Sequence, residues 1–420
     1  MFAQKKTSTD IQSIEALVPR SLITSGGDVL GAEISSEGLC PLRVHLQEGV
    51  IRKFEIIENF ANPSMGLLLP RLIEPHTHID KAFTWQSWPN LSGTYQGALQ
   101  ANLNEYKERT IKQVRARANK ALNLCLRNGL RAVRTHVDSF GWIGDQSWEV
   151  LLELKKDWQP FIDLQLVALV PLDYWITDHG KTLARKISRN RGLIGGVIAP
   201  PYEKRKLRSL LMNLFSLAND LSCGVDLHID ETSITPSGGL REMLNVLDHI
   251  KLDVPVTCSH LSSMGLLSQK AINFFADKLA HHQINVISLP ITNYWLLSRC
   301  PKSTPIKRPL APVKQLQYSG VNVAIGGDNV QDPWNPGGNF DPISLMANAV
   351  SMTHIAPWER LGLSTFITAP SRLMGLEWDG TFQKGSSADF VLLDIDSWSG
   401  AMSRPPSRKI MIKGKWLELN

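Results

Sequence analysis

From about residue 70 onward, apolar and polar positions fall into two alternating registers. Short β-rich runs end in polar residues, and longer amphipathic stretches separate them. The runs cover residues 72–79, 131–138, 163–170, 194–200, 224–230, 254–260, 285–291 and 321–328. Between them the pattern predicts helices over stretches such as 103–128, 207–221, 240–250 and 267–282. Eight strands alternating with helices predict an α/β fold, a parallel (β/α)8 barrel. Parallel strands are covered on both faces and should be apolar along their length, as Leu166-Val167-Ala168-Leu169-Val170 is.

The two ends of the chain break this alternation. Residues 20–69 are rich in Gly, Val, Ile and Glu, with turn signals at Ser25-Gly26-Gly27-Asp28 and Glu48-Gly49. Towards the C-terminus, Gly385-Ser386-Ser387 opens a β-rich segment through Asp394. A second β-rich segment begins at Lys409 and reaches a hairpin turn at Gly414-Lys415. Both ends are expected to pair into one small β-sandwich domain. That divides the chain into 1–69, the barrel at 70–375, and 376–420. No repeat of fixed period and no low-complexity tract interrupts the pattern.

Composition narrows the class. The chain has 420 residues, 43% hydrophobic and 20% charged, which is ordinary globular composition. Its net charge, 45 − 39 = +6, is spread without a long basic block, which argues against a nucleic-acid partner. No apolar stretch reaches the roughly 20 residues of a membrane span. The N-terminal residues through Thr7 lack an apolar signal core. Cys40, Cys125, Cys223, Cys258 and Cys300 show no C-x-x-C spacing and read as free thiols of a reducing cytoplasm. A cytoplasmic location is therefore expected, and a homo-oligomer is compatible with these features.

Candidate chemistry gathers at the strand ends. His76 and His78 close the first run, and residues two apart on a strand share a face. Two imidazoles side by side suit one divalent metal. The second run ends Arg134-Thr135-His136-Val137-Asp138; His228 closes the fifth, with Glu231 three residues on; His260 closes the sixth; Asp328 closes the eighth. Barrel chemistry sits at the C-terminal ends of the strands. One site can thus hold His76, His78, His228 and Asp328 around a metal with an open position for water, as catalytic sites do. Such a metal lowers the pKa of its water from about 15.7 towards about 7. Asp328 can take the water's proton, His260 can hold the attacking oxygen, and Glu231 can protonate a ring nitrogen of the substrate. Gln165 and Trp334 suit the edge and the face of a heterocycle. His136 reads equally as a core histidine or a substrate contact, Asp138 as structural, and Lys81 as pointing to solvent in preference to lining the pocket. His45, His249, His281, His282 and His354 receive no role.

This combination resembles the amidohydrolase superfamily, and within it the cytosine deaminase group. The resemblance rests on Glu74-Pro75-His76-Thr77-His78-Ile79-Asp80, Arg134-Thr135-His136-Val137-Asp138, Ile162-Asp163-Leu164-Gln165, Asp226-Leu227-His228-Ile229-Asp230-Glu231, Thr257-Cys258-Ser259-His260, and Gly327-Asp328-Asn329 through Trp334. It implies a single iron or zinc, Fe(II) or Zn(II), bound by His76, His78, His228 and Asp328. It also implies Glu231 as proton shuttle, His260 at the hydroxide, and Gln165, Asn329 and Trp334 at the substrate. The fourth run ends without the lysine that bridges two metals in binuclear relatives. Asn329 stands where cytosine deaminases carry a second aspartate, and a glutamine expected in the strand-7 loop is replaced near Leu297. Asp80-Lys81 and Asp328-Asn329 instead match a sister group that releases alkylamines from s-triazine rings, the N-isopropylammelide amidohydrolases. The resemblance therefore implies hydrolytic deamination of cytosine or a related amino-substituted heterocycle, with ammonia released. Alkylamine release from an N-alkyl triazine is the enzymatic alternative. A non-catalytic scaffold is the alternative of another class.

Overall fold

The computed structural model describes residues 12–24, 29–58, 65–300 and 302–418. The turn expected at Ser25-Gly26-Gly27-Asp28 lies outside the described residues. The rest forms two compact units: the chain up to Ile73 with Asn123–Ala132 and the chain from Asp341 on, and Glu74–Leu122 with Val133–Phe340.

In the first unit the strands of both chain ends join one seven-stranded sheet. β1 (Gln12–Pro19), β2 (Leu39–Gln47), β3 (Val50–Ile56) and β4 (Leu67–Pro70) come from the N-terminal part. β13 (Phe390–Leu393), β14 (Arg408–Ile412) and β15 (Lys415–Trp416) come from the C-terminal part, in the order β15-β14-β13-β4-β1-β2-β3. β13 lies antiparallel to β4, pairing Phe390 with Pro70. The hairpin turn after β14 is Lys413-Gly414, one residue earlier than the pattern indicated. Both residues have positive φ, 47° and 76°, as a two-residue hairpin turn demands.

The eight-stranded sheet contains β5 (Leu72–Thr77), β6 (Leu130–Asp138), β7 (Asp163–Leu169), β8 (Leu193–Ile198), β9 (Val225–Ile229), β10 (Val256–His260), β11 (Asn285–Ser288) and β12 (Val323–Ile325) in sequential order. The registered pairs from β7 to β12 are parallel. β12 is three residues long where eight were expected, because Gly326-Gly327 and the positive φ of Asp328 (62°) end its extended backbone. The sheet's two ends meet through a parallel bridge between Thr77 and Asp328. There the Asp328 N–H donates to the His76 carbonyl at 2.9 Å, and Thr77 Oγ1 donates to the Asp328 carbonyl at 2.7 Å. A Cβ at Gly326 would come within 3.0–3.1 Å of Glu74, Leu289 and His76, so any side chain there would push these neighbours aside.

The single helix expected over 103–128 is two, α1 (Tyr95–Glu108) and α2 (Ile111–Arg127). Arg109 turns to extended backbone between them (ψ 132°), and Thr110 and Gln113 cap each other reciprocally at 2.9 and 3.4 Å. The other helices that matter here are α3 (Gly141–Trp158), α4 (Asp178–Arg189), α5 (Lys204–Asp220), α6 (Gly238–Leu247), α7 (Gln269–His281) and α8 (Pro290–Leu296). Among the described residues no helix is long and apolar enough to cross a membrane.

Candidate active site

Four donors converge where β5, β9 and β12 end. His78 Nε2 lies 3.3 Å and His76 Nε2 3.6 Å from Asp328 Oδ1, and His228 Nε2 faces His78 Nε2 at 3.4 Å. All four residues are buried. Two atoms each bonded about 2.1 Å from one centre at a tetrahedral angle lie about 3.4 Å apart, so these separations fit a single divalent ion. Burial and then the neighbouring imidazoles hold His76 and His228 well below the ordinary histidine pKa, in the neutral form a metal requires.

The orientation of His76 is set from behind. Ser259 Oγ has one proton and gives it to the Asp226 carboxylate at 2.8 Å. Its lone pair therefore accepts from His76 Nδ1–H at 2.9 Å, which leaves Nε2 unprotonated and facing the cluster. Asp226 is held in turn by Arg134 at 2.8 Å, and Arg134 Nε donates to Gln165 Oε1 at 2.7 Å. Gln165 is thus half-buried within β7 at the far end of this chain of bonds, with a lone pair of its amide oxygen committed to Arg134. His136 is fully buried, with its ring 3.9 Å from that of His76 and no hydrogen-bond partner on either nitrogen among the described residues. It is neither a satisfied core histidine nor exposed.

His260 ends β10 with φ of 75°, and that left-handed backbone brings it into the site. Its strand neighbour Cys258 points the other way, to Met243 of α6 at 3.8 Å. His260 forms a second compact group with His76 and Asp328. Glu231 Oε1 lies 3.6 Å from His260 Nδ1. Burial, and then the Asp328 charge, hold the Glu231 carboxyl well above the usual carboxylate range; Lys81 opposes them. Between Glu231 and His260 stands Asn293 of α8, a residue the sequence pattern did not single out. The position near Leu297 packs instead into an apolar cluster with Ala98 and Leu296.

The loop after β12 is organised by Asp332. It accepts from Asn329 Nδ2 at 2.8 Å and from the Trp334 and Asn335 N–H groups at 2.9 and 3.2 Å. One hydrogen of the Asn329 NH2 group is therefore engaged by Asp332. Trp334 meets Tyr95 of α1 edge to face at 5.0 Å. Burial, and then the Glu231 charge, push the Tyr95 hydroxyl above its ordinary pKa.

Lys81 does not point to solvent. It is 3% exposed and donates to Asp138 at 3.0 Å. Asp138 also pairs with Arg109 at 3.0 Å, and Arg109 binds Asp80 and Glu105. Asp138 is thus part of a buried ion network that fixes the break between α1 and α2. Burial disfavours the charge on Lys81, but Asp138, Asp80 and Asp332 outweigh it and keep the amine cationic. Ser259 and Asp226 carried a legible sign, since they share the inward face of their strands with Thr257 and His228. Asn293 and Tyr95, on helices after loops, carried none.

A parallel barrel with a buried histidine–aspartate cluster at its strand ends defines a class of hydrolase sites. The sequence model of the amidohydrolase family matches residues 105–414, and the chain belongs to that family, whose members usually use a divalent metal. The chain is 29% identical to a pterin deaminase of Rhizobium rhizogenes over 91% of its own length and 89% of the relative's. It is 25% identical to the N-isopropylammelide isopropyl amidohydrolase of a Pseudomonas species, over 83% and 85% of the two chains. Among solved structures, 5-methylcytosine deaminase from Klebsiella pneumoniae superposes with a TM-score of 0.80 at 24% identity, covering 96% of this chain and 97% of the other.

Proposed function

We propose that this chain is a metal-dependent hydrolytic deaminase of an amino-substituted, oxo-bearing nitrogen heterocycle, of the cytosine or pterin type. The observation that carries the reading is the convergence of His76, His78, His228 and Asp328 beside the Glu231–Asn293–His260 group. These four residues would hold one Fe(II) or Zn(II). When bound, the ion supplies Lewis acidity and makes its water a good nucleophile at neutral pH.

The side chains then divide the proton work. His260 Nε2 holds the attacking oxygen in line. Glu231, protonated by its burial, gives its proton to the ring nitrogen next to the reacting carbon, so that a C–O bond forms as the ring C=N becomes C–N–H. Asp328 takes a proton from the water and passes it to the exocyclic nitrogen. The C–N bond then breaks and ammonia leaves, the new C–OH returns its proton to the Glu231 carboxylate, and a carbonyl remains. Trp334 and Tyr95 wall the ring, Asn329 Oδ1 accepts from its edge, and Lys81 favours an electron-rich oxo group nearby. Gln165 is a weaker candidate for substrate contact, because Arg134 already occupies its amide oxygen.

The Asn329 and Lys81 pair, together with the triazine-acting relative, favours a second reading in which the leaving group is an alkylamine. The test is an amine-release screen of the zinc- and iron-loaded protein against pterin, cytosine, isoguanine and N-isopropylammelide. Ammonia from an oxo-heterocycle is expected. Isopropylamine alone would favour the second reading. No turnover by fully metallated protein would overturn both, and would revive a non-catalytic role.

A further inference from the structure

Asn293 is 1% exposed and its backbone is fixed in α8, with its N–H on the Leu289 carbonyl at 3.1 Å. Its amide nitrogen lies 2.9 Å from His260 Nδ1 and 3.4 Å from Glu231 Oε1. The amide nitrogen faces both an imidazole nitrogen and a carboxyl oxygen, and its two hydrogens can serve one each. The amide nitrogen therefore donates to Nδ1, and Nδ1 carries no proton. On a neutral imidazole the proton then resides on Nε2, the atom that has no other partner and belongs to the group with Asp328 and His76.

We infer that Asn293 is a positioning residue, which locks His260 in the Nε2–H tautomer so that it serves as a hydrogen-bond donor at the reacting oxygen and not as a base. The second hydrogen of the same NH2 group is within reach of Glu231 Oε1 at 3.4 Å, beside the 3.6 Å approach of that oxygen to His260 Nδ1. This rests on the hydrolytic reading of the site for its catalytic consequence, but the tautomer itself does not. The isosteric Asn293→Asp replaces the donor by an acceptor and pulls the proton onto Nδ1. Where a donor–acceptor exchange behind a catalytic histidine presents the wrong tautomer, kcat falls by about 10⁴.

Zinc-loaded protein labelled with nitrogen-15 histidine gives the first readout, with the His260 resonances assigned by difference against His260→Asn. Wild type is expected to show a protonated Nε2 and an unprotonated Nδ1, and Asn293→Asp the reverse. In the amine-release reaction Asn293→Asp is expected to keep full metal content and a KM within a few-fold, while kcat falls by about 10² or more. Asn293→Ala, which only removes the donor, should give mixed tautomers and a smaller loss. A protonated Nδ1 in wild type, or an unchanged tautomer or kcat in a folded, metallated Asn293→Asp, overturns the inference. If wild type proves inactive on every substrate, the functional reading fails while the spectrum still decides the tautomer.

Discussion

The metal-side and substrate-side halves of this site are built from different material. His76, His78 and His228 project from strand ends, where alternation dictates direction and neighbouring strands fix position to within a hydrogen bond. Asn329, Trp334, Tyr95 and Asn293 sit on loops and short helices after the strands, each held by its own local anchor. Asp332 holds the first two, and the Arg109 network pins the end of the helix that carries Tyr95. The strand-built half has one geometry available to it. The loop-built half can be re-specified by changing a few anchors, which suits a family whose rings differ more than its water chemistry does.

This contrast can be broken in order of expected effect. The double variant His76→Ala/His78→Ala should lose bound metal and activity together, by more than about 10³-fold in turnover. Elemental analysis showing about one metal per chain in that variant would remove the strand-built half from the metal site. Glu231→Gln should keep its metal, because Glu231 stands outside the four-donor cluster, while kcat drops by about 10²–10⁴. Near-normal turnover would mean another group delivers the proton. Ser259→Ala frees His76 to adopt the wrong tautomer and should weaken metal affinity by about 10–100-fold, read by chelator competition. An unchanged affinity would show that strand geometry alone orients the ligand.

The smallest effect concerns pH. Burial pushes the Glu74 carboxyl up to about 8, against the N–H groups of His76 and Gly327 that it accepts. A carboxyl raised in the folded state contributes stability that is present below its unfolded pKa and lost as pH rises through the folded value. The metal-free protein should therefore lose stability between about pH 4.5 and about pH 8. Glu74→Gln should flatten that slope in denaturant titrations, and a slope indifferent to the substitution would acquit Glu74.

The same division explains what could be read in the sequence. Alternation located all eight strands to within a few residues, because buried parallel strands must be apolar and must end where polar groups are tolerated. His260 was legible by its place at the end of its run but not by alternation: strand parity with Cys258 points it towards the helices, and a positive φ turns it inward. Lys81 was misjudged because a lysine beside a loop is usually solvated, and nothing local reveals Asp138 and Arg109 waiting across the fold. Asn293 follows a proline that starts a seven-residue helix, too short for periodicity to show which face looks at the metal donors. The α1–α2 break, by contrast, was written in Thr110-x-x-Gln113, a reciprocal cap in the middle of an otherwise helical pattern.

The bridge between Thr77 and Asp328 ties the closing of the barrel to the occupancy of its site. Asp328 offers its carboxylate to the cluster and its backbone to the last strand junction, so an ion that gathers the four donors also fastens the seam. By mass action, free metal at a hundred times its dissociation constant favours the closed form by about 2.7 kcal/mol. Chelation should release that restraint locally, and amide exchange at Gly327 and Asp328 should quicken before the β8–β9–β10 ladder does. The ion would then act as the barrel's last staple as well as its catalyst, and metal starvation in a cell would be felt first as a fraying sheet.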